Sequence, residues 1–182
     1  MSARSSTSHG WMPAQSPGFL LWQATLRWQR EVGDALQPYE LTHAQFVLLS
    51  AAWWLNEGWG EKPVQRRLAE YTGLDPMMTS QILRALEARG LIERKPHPTD
   101  SRARLIDVTA LGSALAQQAI AIVEVVDKKF FAAGDQEHLL ATLGALSRFP
   151  LGRTGTAGAK KKQPKPARPE GAARQQALRL WP

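Results

Sequence analysis

The sequence predicts a mainly α-helical fold that carries one small β-wing, and three observations predict it. Apolar residues recur at helical spacing through most of residues 19–146. Two short runs, Leu91 to Lys95 and Arg104 to Val108, instead read as strands around the turn Pro96-His97-Pro98-Thr99-Asp100-Ser101. Helix punctuation is sharp on both sides of them: Asp75-Pro76 opens one helix, Gly90 stops it, and Thr109 opens the next.

Taken in order, residues 1–17 are rich in Ser and Pro and are expected to form a disordered leader. They lack the continuous apolar core of a secretory signal. The first helix spans roughly Phe19 to Leu36 and ends before Pro38. It carries two apolar stripes, Phe19, Trp22 and Leu26 on one and Leu21, Trp28, Val32 and Leu36 on the other. Two stripes imply contact with its own core and with something else, such as a second subunit. Thr42 opens a second helix with Gln45 in capping-box spacing and Phe46, Leu49 and Trp53 along one face. Asn56-Glu57-Gly58 is expected to stop it.

Pro63 suits the first turn of a short third helix whose Val64, Leu68 and Tyr71 point inward, and Thr72-Gly73-Leu74 makes a tight turn. Asp75 then caps a fourth helix that buries Thr79, Ile82, Leu83 and Leu86, leaving Met77, Met78, Ser80, Gln81 and Arg84 on the outer or leading face. Beyond the two strands, Thr109 caps a long helix to about Ala133, with Leu111, Leu115, Ile122, Val126 and Phe130 near one face. Gly134-Asp135 restarts the chain into a last helix holding Leu139, Leu140, Leu143 and Leu146. From Pro150 the composition turns to Gly, Ala, Pro and Lys, so residues 150–182 read as a basic disordered tail. The expected division is therefore a leader at 1–17, a folded unit at 18–149 with its compact basic part at 62–109, and the tail.

The net charge of +7 is unevenly placed. From Gly152 to Pro182 eight Lys and Arg face Glu170 alone, whereas the remaining 151 residues carry 15 basic and 15 acidic groups. Within that neutral body, residues 62–104 hold nine basic and five acidic groups. The folded part is thus polarised, and a positive pole of this kind suits a polyanion.

Several function classes are excluded. There is no cysteine, which rules out disulfides and thiol-based redox sensing. The apolar stretch from Leu105 to Val126 is interrupted by Asp107, Gln117, Gln118 and Glu124, which argues against a membrane span. The four His (His9, His43, His97, His138) show no ligand spacing, and His97 between two prolines reads as a turn residue. No phosphate-binding Gly loop, nucleophile elbow or catalytic carboxylate pair is visible, so neither enzymatic activity nor a cofactor or metal is expected. The expected location is cytoplasmic, on the nucleoid.

A helix, a tight turn, a second helix and a basic ribbon make the outline of a winged helix-turn-helix, a unit that places a helix in a DNA groove. The runs LTHAQFVLLSA and LAEYTGLDPMMTSQILRALEARGLIERKPHPTDSRARLIDVTALG, with the long helix behind them, resemble the MarR family of bacterial transcription regulators over roughly Phe19 to Arg148. The likeness is most specific at Leu74-Asp75-Pro76, at the LEARGLIER junction, and at Asp100-Ser101-Arg102. It implies an obligate homodimer whose N- and C-terminal helices form the dimer body, with the two winged units facing DNA, acting in most members as a repressor released by a small, often aromatic or phenolic, effector. Two departures stand out. Val108-Thr109-Ala110-Leu111-Gly112, with Asp107 ahead of it, replaces the Leu-Thr-x-x-Gly run of many relatives, and the Lys/Pro/Ala tail lies outside the family pattern.

The candidate site follows from groove chemistry. Met77, Ser80, Gln81 and Arg84 are the candidate base readers, since Gln pairs with adenine, Arg with guanine, and Met touches thymine methyls. Met78 is balanced between that role and core packing. Arg102 suits the narrow minor groove, with Asp100 expected to fix Arg102 or a neighbouring Arg by an ion pair. Arg66, Arg67, Arg94, Lys95 and Arg104 are candidate phosphate contacts, or else ordinary exposed cations. Trp22, Trp53 and Trp54 are candidates to line an aromatic effector pocket, against the plainer reading of core and dimer packing. A chromosome-associated architectural protein dominated by its tail is the alternative, and the expected partner in either case is double-stranded DNA.

Overall fold

The structure, a computed structural model, describes residues 12–147. Residues 1–11 and 148–182, most of the expected leader and all of the expected tail, lie outside the described residues. The chain runs α1 (Pro17–Leu36), α2 (His43–Trp53), α3 (Gln65–Thr72), α4 (Pro76–Ala88), β1 (Ile92–Pro96), β2 (Arg104–Val108), α5 (Ala110–Phe130) and α6 (Gln136–Ser147). A 3-10 turn at Pro13–Gln15 precedes α1, inside the segment expected to be unstructured. Helix α1 begins two residues earlier than anticipated, because the Ser16 hydroxyl accepts from Phe19 N at 3.3 Å and Pro17 fills the first helical position.

Helix α2 starts on the expected capping box, with Gln45 N donating to Thr42 Oγ1 (3.2 Å) and Thr42 N donating to Gln45 Oε1 (2.9 Å). Its burial is not confined to one face. Phe46 and every residue from Leu48 to Trp53 are buried, because α2 is the central helix, touched by α1, α3, α4, α5 and β2. Nor does Asn56 stop it: the chain winds on through a π turn at Trp54–Gly58. From that turn Asn56 spans a gap, donating to Glu61 O at 2.9 Å and accepting from Val108 N at 2.8 Å. A segment with the look of punctuation is thus a clamp on the second strand.

Pro63 also departs from its expected place. Val64 is the extended N-cap residue of α3, and Pro63 lies before it, fully buried. The Pro63 carbonyl accepts from Ile106 N at 2.8 Å, and Val64 forms an isolated bridge to Leu105. Residues 63–64 therefore extend the ribbon by a short third edge. A proline suits that edge, having a carbonyl to offer and no N–H to leave unpaired. Strands β1 and β2 pair antiparallel with Ile92 opposite Val108 and Pro96 opposite Arg104, so Ile92, Arg94 and Ile106 face inward while Glu93, Lys95 and Asp107 face outward.

The inner stripe of α5 is Gly112, Ala116, Ala119, Ile120 and Val123, not the Leu111–Phe130 stripe anticipated from residue size. Leu111 is 61% exposed, while Leu115, Ile122 and Val126 flank the stripe half-buried. The start of α5 admits only a small residue, since a Cβ at Gly112 would fall on the Leu91 carbonyl oxygen, and the rest of the stripe packs against α1 and α2. By length and composition α5 is the one described helix that would suit a membrane span, yet its inner stripe belongs to the core that α1 and α2 share with it. Helix α6 buries none of its residues within the chain.

Gly112→Ala is expected to destabilise the fold by about 1–3 kcal/mol, the cost of overpacking a rigid contact. Urea unfolding at matched protein concentration checks this, and an unchanged midpoint would show that the α5 start is not held tightly against Leu91.

Candidate nucleic-acid interface

The site is built outward from the turn between α3 and α4. Gly73 takes φ +70°, a left-handed conformation that glycine adopts without strain and that ends α3. Two residues later the Asp75 carboxylate accepts from Met77 N (2.8 Å) and Met78 N (3.1 Å), with Pro76 at the first helical position. The inner face of α4 is Thr79, Ile82, Leu83 and Leu86, as anticipated; the Thr79 hydroxyl is satisfied by Asp75 O at 2.9 Å. With that face buried, Met77, Gln81 and Arg84 stand exposed at mutual spacings of three and four, and Ser80 is half-buried beside them. Met77 is 72% exposed and Met78 46%, so neither is core. Arg84 Nη2 donates to Ser80 Oγ at 3.0 Å, which lays the guanidinium along the outer face.

At the ribbon tip, Asp100 does not pair with an arginine. Its carboxylate instead accepts from the Arg102 backbone N–H at 2.9 Å, an Asx-type turn. His97 Nδ1 accepts from Thr99 N (3.3 Å) and Asp100 N (3.2 Å), and Ala103 N donates to Asp100 O at 3.1 Å. The loop is shaped by its own backbone, and His97 is the turn residue it was expected to be. The Arg102 side chain is left exposed at the apex.

The candidate phosphate contacts divide sharply. Arg66 lies 3.7 Å from Glu70, and Arg67 lies 3.2 Å from Glu61 with its guanidinium over the Tyr71 ring. Arg94 is turned inward at 21% exposure, its Nε 3.0 Å from Glu87 Oε2 but off the hydrogen-bond axis, so the contact is ionic. Lys95 contacts Glu93 and Asp107, and Asp107 also takes Lys62 at 2.7 Å. Arg89 is likewise engaged, donating to Glu40 O (2.6 Å) and Tyr39 O (3.2 Å). Among the described residues of this region, Arg84, Arg102 and Arg104 have no carboxylate within ion-pair distance. The free positive charge is therefore concentrated on the outer face of α4 and the ribbon tip. Hydrogen bonds from Lys62 and then Lys95 hold the Asp107 carboxyl below its ordinary range, and Asp107 in turn raises Lys95.

The three candidate pocket tryptophans are not brought together. Trp22 is 60% exposed on α1, whereas Trp53 is a core residue whose indole N–H donates to Ser113 Oγ at 3.0 Å. Trp54 is half-buried 6.5 Å from Trp53 and covers Gly58. The open groove beside α1, lined by Leu20, Ala24, Arg27 and Phe130 among others, contains none of the three. Sequence reasoning missed a polar junction in the body: Trp28 Nε1 donates to Asp127 Oδ1 at 2.7 Å, and His43 packs edge-on to Trp28 at 4.9 Å. Burial pushes the His43 pKa down, with Asp127 opposing it. Partners 99 residues apart leave no local signal.

Comparison with known proteins bears on the same surface. A sequence profile of the MarR family matches residues 41–103. The chain is 44% identical over 135 residues to the HTH-type transcriptional regulator YdcH of Bacillus subtilis, covering 74% of this chain and 91% of that one. It is 31% identical over 115 residues to an HTH-type transcriptional repressor of Mycobacterium tuberculosis, covering 63% and 79% respectively. Among solved structures it is similar to CouR from Rhodococcus jostii RHA1 bound to p-coumaroyl-CoA, at 25% identity and a TM-score of 0.65, over 80% of this chain and 99% of that one.

Proposed function

The chain belongs to the MarR family of DNA-binding transcription regulators, and from that premise we propose that it is a homodimeric repressor reading a pseudo-palindromic operator. One observation carries the reading: the unpaired cations, Arg84, Arg102 and Arg104, coincide with the exposed face of α4 and the ribbon tip. In this reading α4 enters the major groove, where Gln81 takes adenine, Arg84 takes guanine after releasing Ser80, and Met77 meets thymine methyls. Arg102 enters the adjacent minor groove, and Arg104 holds a phosphate. The repressor sign follows the mycobacterial relative's name.

The second copy is proposed from uncovered apolar surface. Leu20, Leu21 and Trp22 on α1, Val125 on α5, and Leu140 and Leu146 on α6 are all exposed in the single chain. Large apolar side chains left uncovered on three helices support an interaction surface there. Two-fold pairing of these helices would set the two α4 helices about one DNA turn apart, which spaces the half-sites by about ten base pairs. The basic residues of 152–182 favour a second reading, an architectural protein in which sequence choice is weak. Footprinting separates the two: discrete protected half-sites support the repressor, and diffuse coverage supports the alternative.

Arg84→Ala is expected to cost about 1–3 kcal/mol at the operator while leaving random duplex nearly unaffected. Arg102→Ala should weaken operator binding as well. Equal affinity of both variants and the wild type, by fluorescence anisotropy, would remove α4 and the tip from the interface.

Deleting residues 152–182 is expected to flatten the dependence of log K on log salt, by about 0.9 for each phosphate that the tail neutralises, and to spare site preference. An unchanged slope would rule the tail out as a DNA-binding element.

A small aromatic acid is proposed as effector, in keeping with the aromatic acyl ligand named for CouR. Trp22 and Trp54, the two candidate tryptophans not sealed in the core, are the reporters. Titrating salicylate-like compounds should quench tryptophan emission and release operator DNA; a panel that does neither would end this part of the reading.

A further inference from the structure

Asp107 occupies a singular position on the ribbon. Its Oδ2 accepts from Lys62, which precedes α3, and from Lys95 on β1. Its side chain is only 18% exposed, whereas those of Lys62 and Lys95 are 51% and 49% exposed. The carboxylate is thus a sheltered, fixed anchor, and the ammonium groups are mobile ends on flexible stems. Lys95 sits one rung from the Pro96–Arg104 pair at the ribbon tip. Successive residues point to opposite faces, so Lys95 stands on the ribbon face away from Arg104, about 3.4 Å along the strand, and once free its ammonium would add a second cationic side to the tip. Glu93 lies directly opposite Asp107 in the ladder. Drawing the two lysines away would leave a pair of facing carboxylates without a counter-charge, a repulsive arrangement across the strands.

We propose that Asp107 is an affinity-limiting residue that withholds Lys62 and Lys95 from DNA phosphates, so that the folded domain binds through the cations that also read the groove. The proposal rests on the DNA-binding reading of α4 and the ribbon. Its physical content is a competition between the internal carboxylates, Asp107 for both lysines and Glu93 as a second, more exposed partner of Lys95, and external phosphates for two ammonium groups. Lysine contacts to phosphate carry no sequence information, so keeping them out trims affinity for every sequence alike. Asp107 touches no base in this scheme; it acts through the lysines it holds.

The test measures the salt dependence of binding by the full-length chain to a random-sequence duplex. Asp107→Asn is expected to bind more tightly and to steepen the slope by about 0.9 per protomer for Lys62, rising to about 1.8 where Lys95 also leaves Glu93. Adding Lys62→Gln and Lys95→Gln to Asp107→Asn should return the slope to the wild-type value. In the wild-type background the same two lysine changes should leave the slope as it was, a measurement that holds even if Asp107→Asn fails to fold. A folded Asp107→Asn with the wild-type slope would overturn the proposal. So would a steep slope that persists without either lysine, or a wild-type slope that flattens when they are removed. If the wild type does not bind the duplex at all, the DNA-binding reading itself fails and this inference falls with it. If it binds and only the lysine arms disagree, that reading stands and the role of Asp107 does not.

Discussion

The seam where residues 90–91 meet residues 109–112 fixes the direction in which α4 presents its side chains. Gly90, at φ +69°, turns the chain out of α4, and the start of α5 returns to lie against that turn. The Thr109 hydroxyl donates toward Gly90 O and Leu91 O and accepts from Gly112 N, while Thr109 N also donates to Leu91 O. One threonine therefore satisfies carbonyls beyond the end of α4 and a free N–H at the start of α5, groups that would otherwise be orphaned. The approach is close enough that only glycine fits at position 112. On the far side Asn56 clamps β2, and Ile92 and Ile106 join Leu83 and Leu86 in one core. Helix α4, the ribbon and the start of α5 are consequently packed and hydrogen-bonded into one unit, which α5 joins to α1 and α2.

Charge on this surface is governed by pairing more than by number. A run of nine cations between residues 62 and 104 looks like a broad phosphate-binding face. Folding brings Glu61, Glu70, Glu87, Glu93 and Asp107 against most of them. Exposed ion pairs of this kind add at most about 1 kcal/mol each to stability. Their larger effect is on what remains available to DNA: the positive field narrows to α4 and the ribbon tip. In the proposed pose, neutralising the flanks while leaving Arg84 and Arg102 free lowers sequence-independent attraction relative to sequence-dependent contact.

Features that local chemistry dictates are legible in the sequence. Asp75-Pro76, Thr42 with Gln45, Gly73, Gly90 and Thr109 as the cap of α5 each act through partners within a few residues, and the structure places each where its chemistry requires; the further bonds of Thr109 to residues 90–91 carry no such local signal. The family resemblance, drawn from the same segments, is shown by the relatives. Features that depend on residues distant in sequence are not legible. Asn56 reads as a helix stop because its partner, Val108, is 52 residues away. Pro63 reads as a helix start because its role as a strand edge emerges only when Ile106 is beside it. The inner face of α5 is misjudged from residue size, since large apolar side chains suggest the inside whereas tight packing favours Gly and Ala. Asp100 suggests an arginine partner by charge alone, while its own loop offers a nearer backbone N–H. Pairing of the candidate phosphate residues has no sequence signal, because acid and base come together from different elements.

The sparse free charge bears on why a single unit would be a poor DNA ligand. Three unpaired cations correspond to a salt slope of only about 2.7, and Arg84 is committed to a base edge in the proposed pose. Specific regulators generally rely on more contacts than that, so either a second copy or the basic segment beyond residue 152 has to supply them. Helix α6 points to the copy. It has 12 residues and none of them buried, a length at which an isolated helix is marginal in water. Its Leu140 and Leu146, with Leu20, Leu21 and Trp22 of α1, need apolar cover for the helix to persist. In the proposed dimer a two-fold partner covers them and doubles the free cations in one step, whereas the basic segment brings eight cations but only Leu178, Leu180 and Trp181 as large apolar side chains. In that dimer, cover for α6 and sufficient charge for DNA are met together by pairing, and α1, α5 and α6 become as necessary to DNA binding as α4 itself.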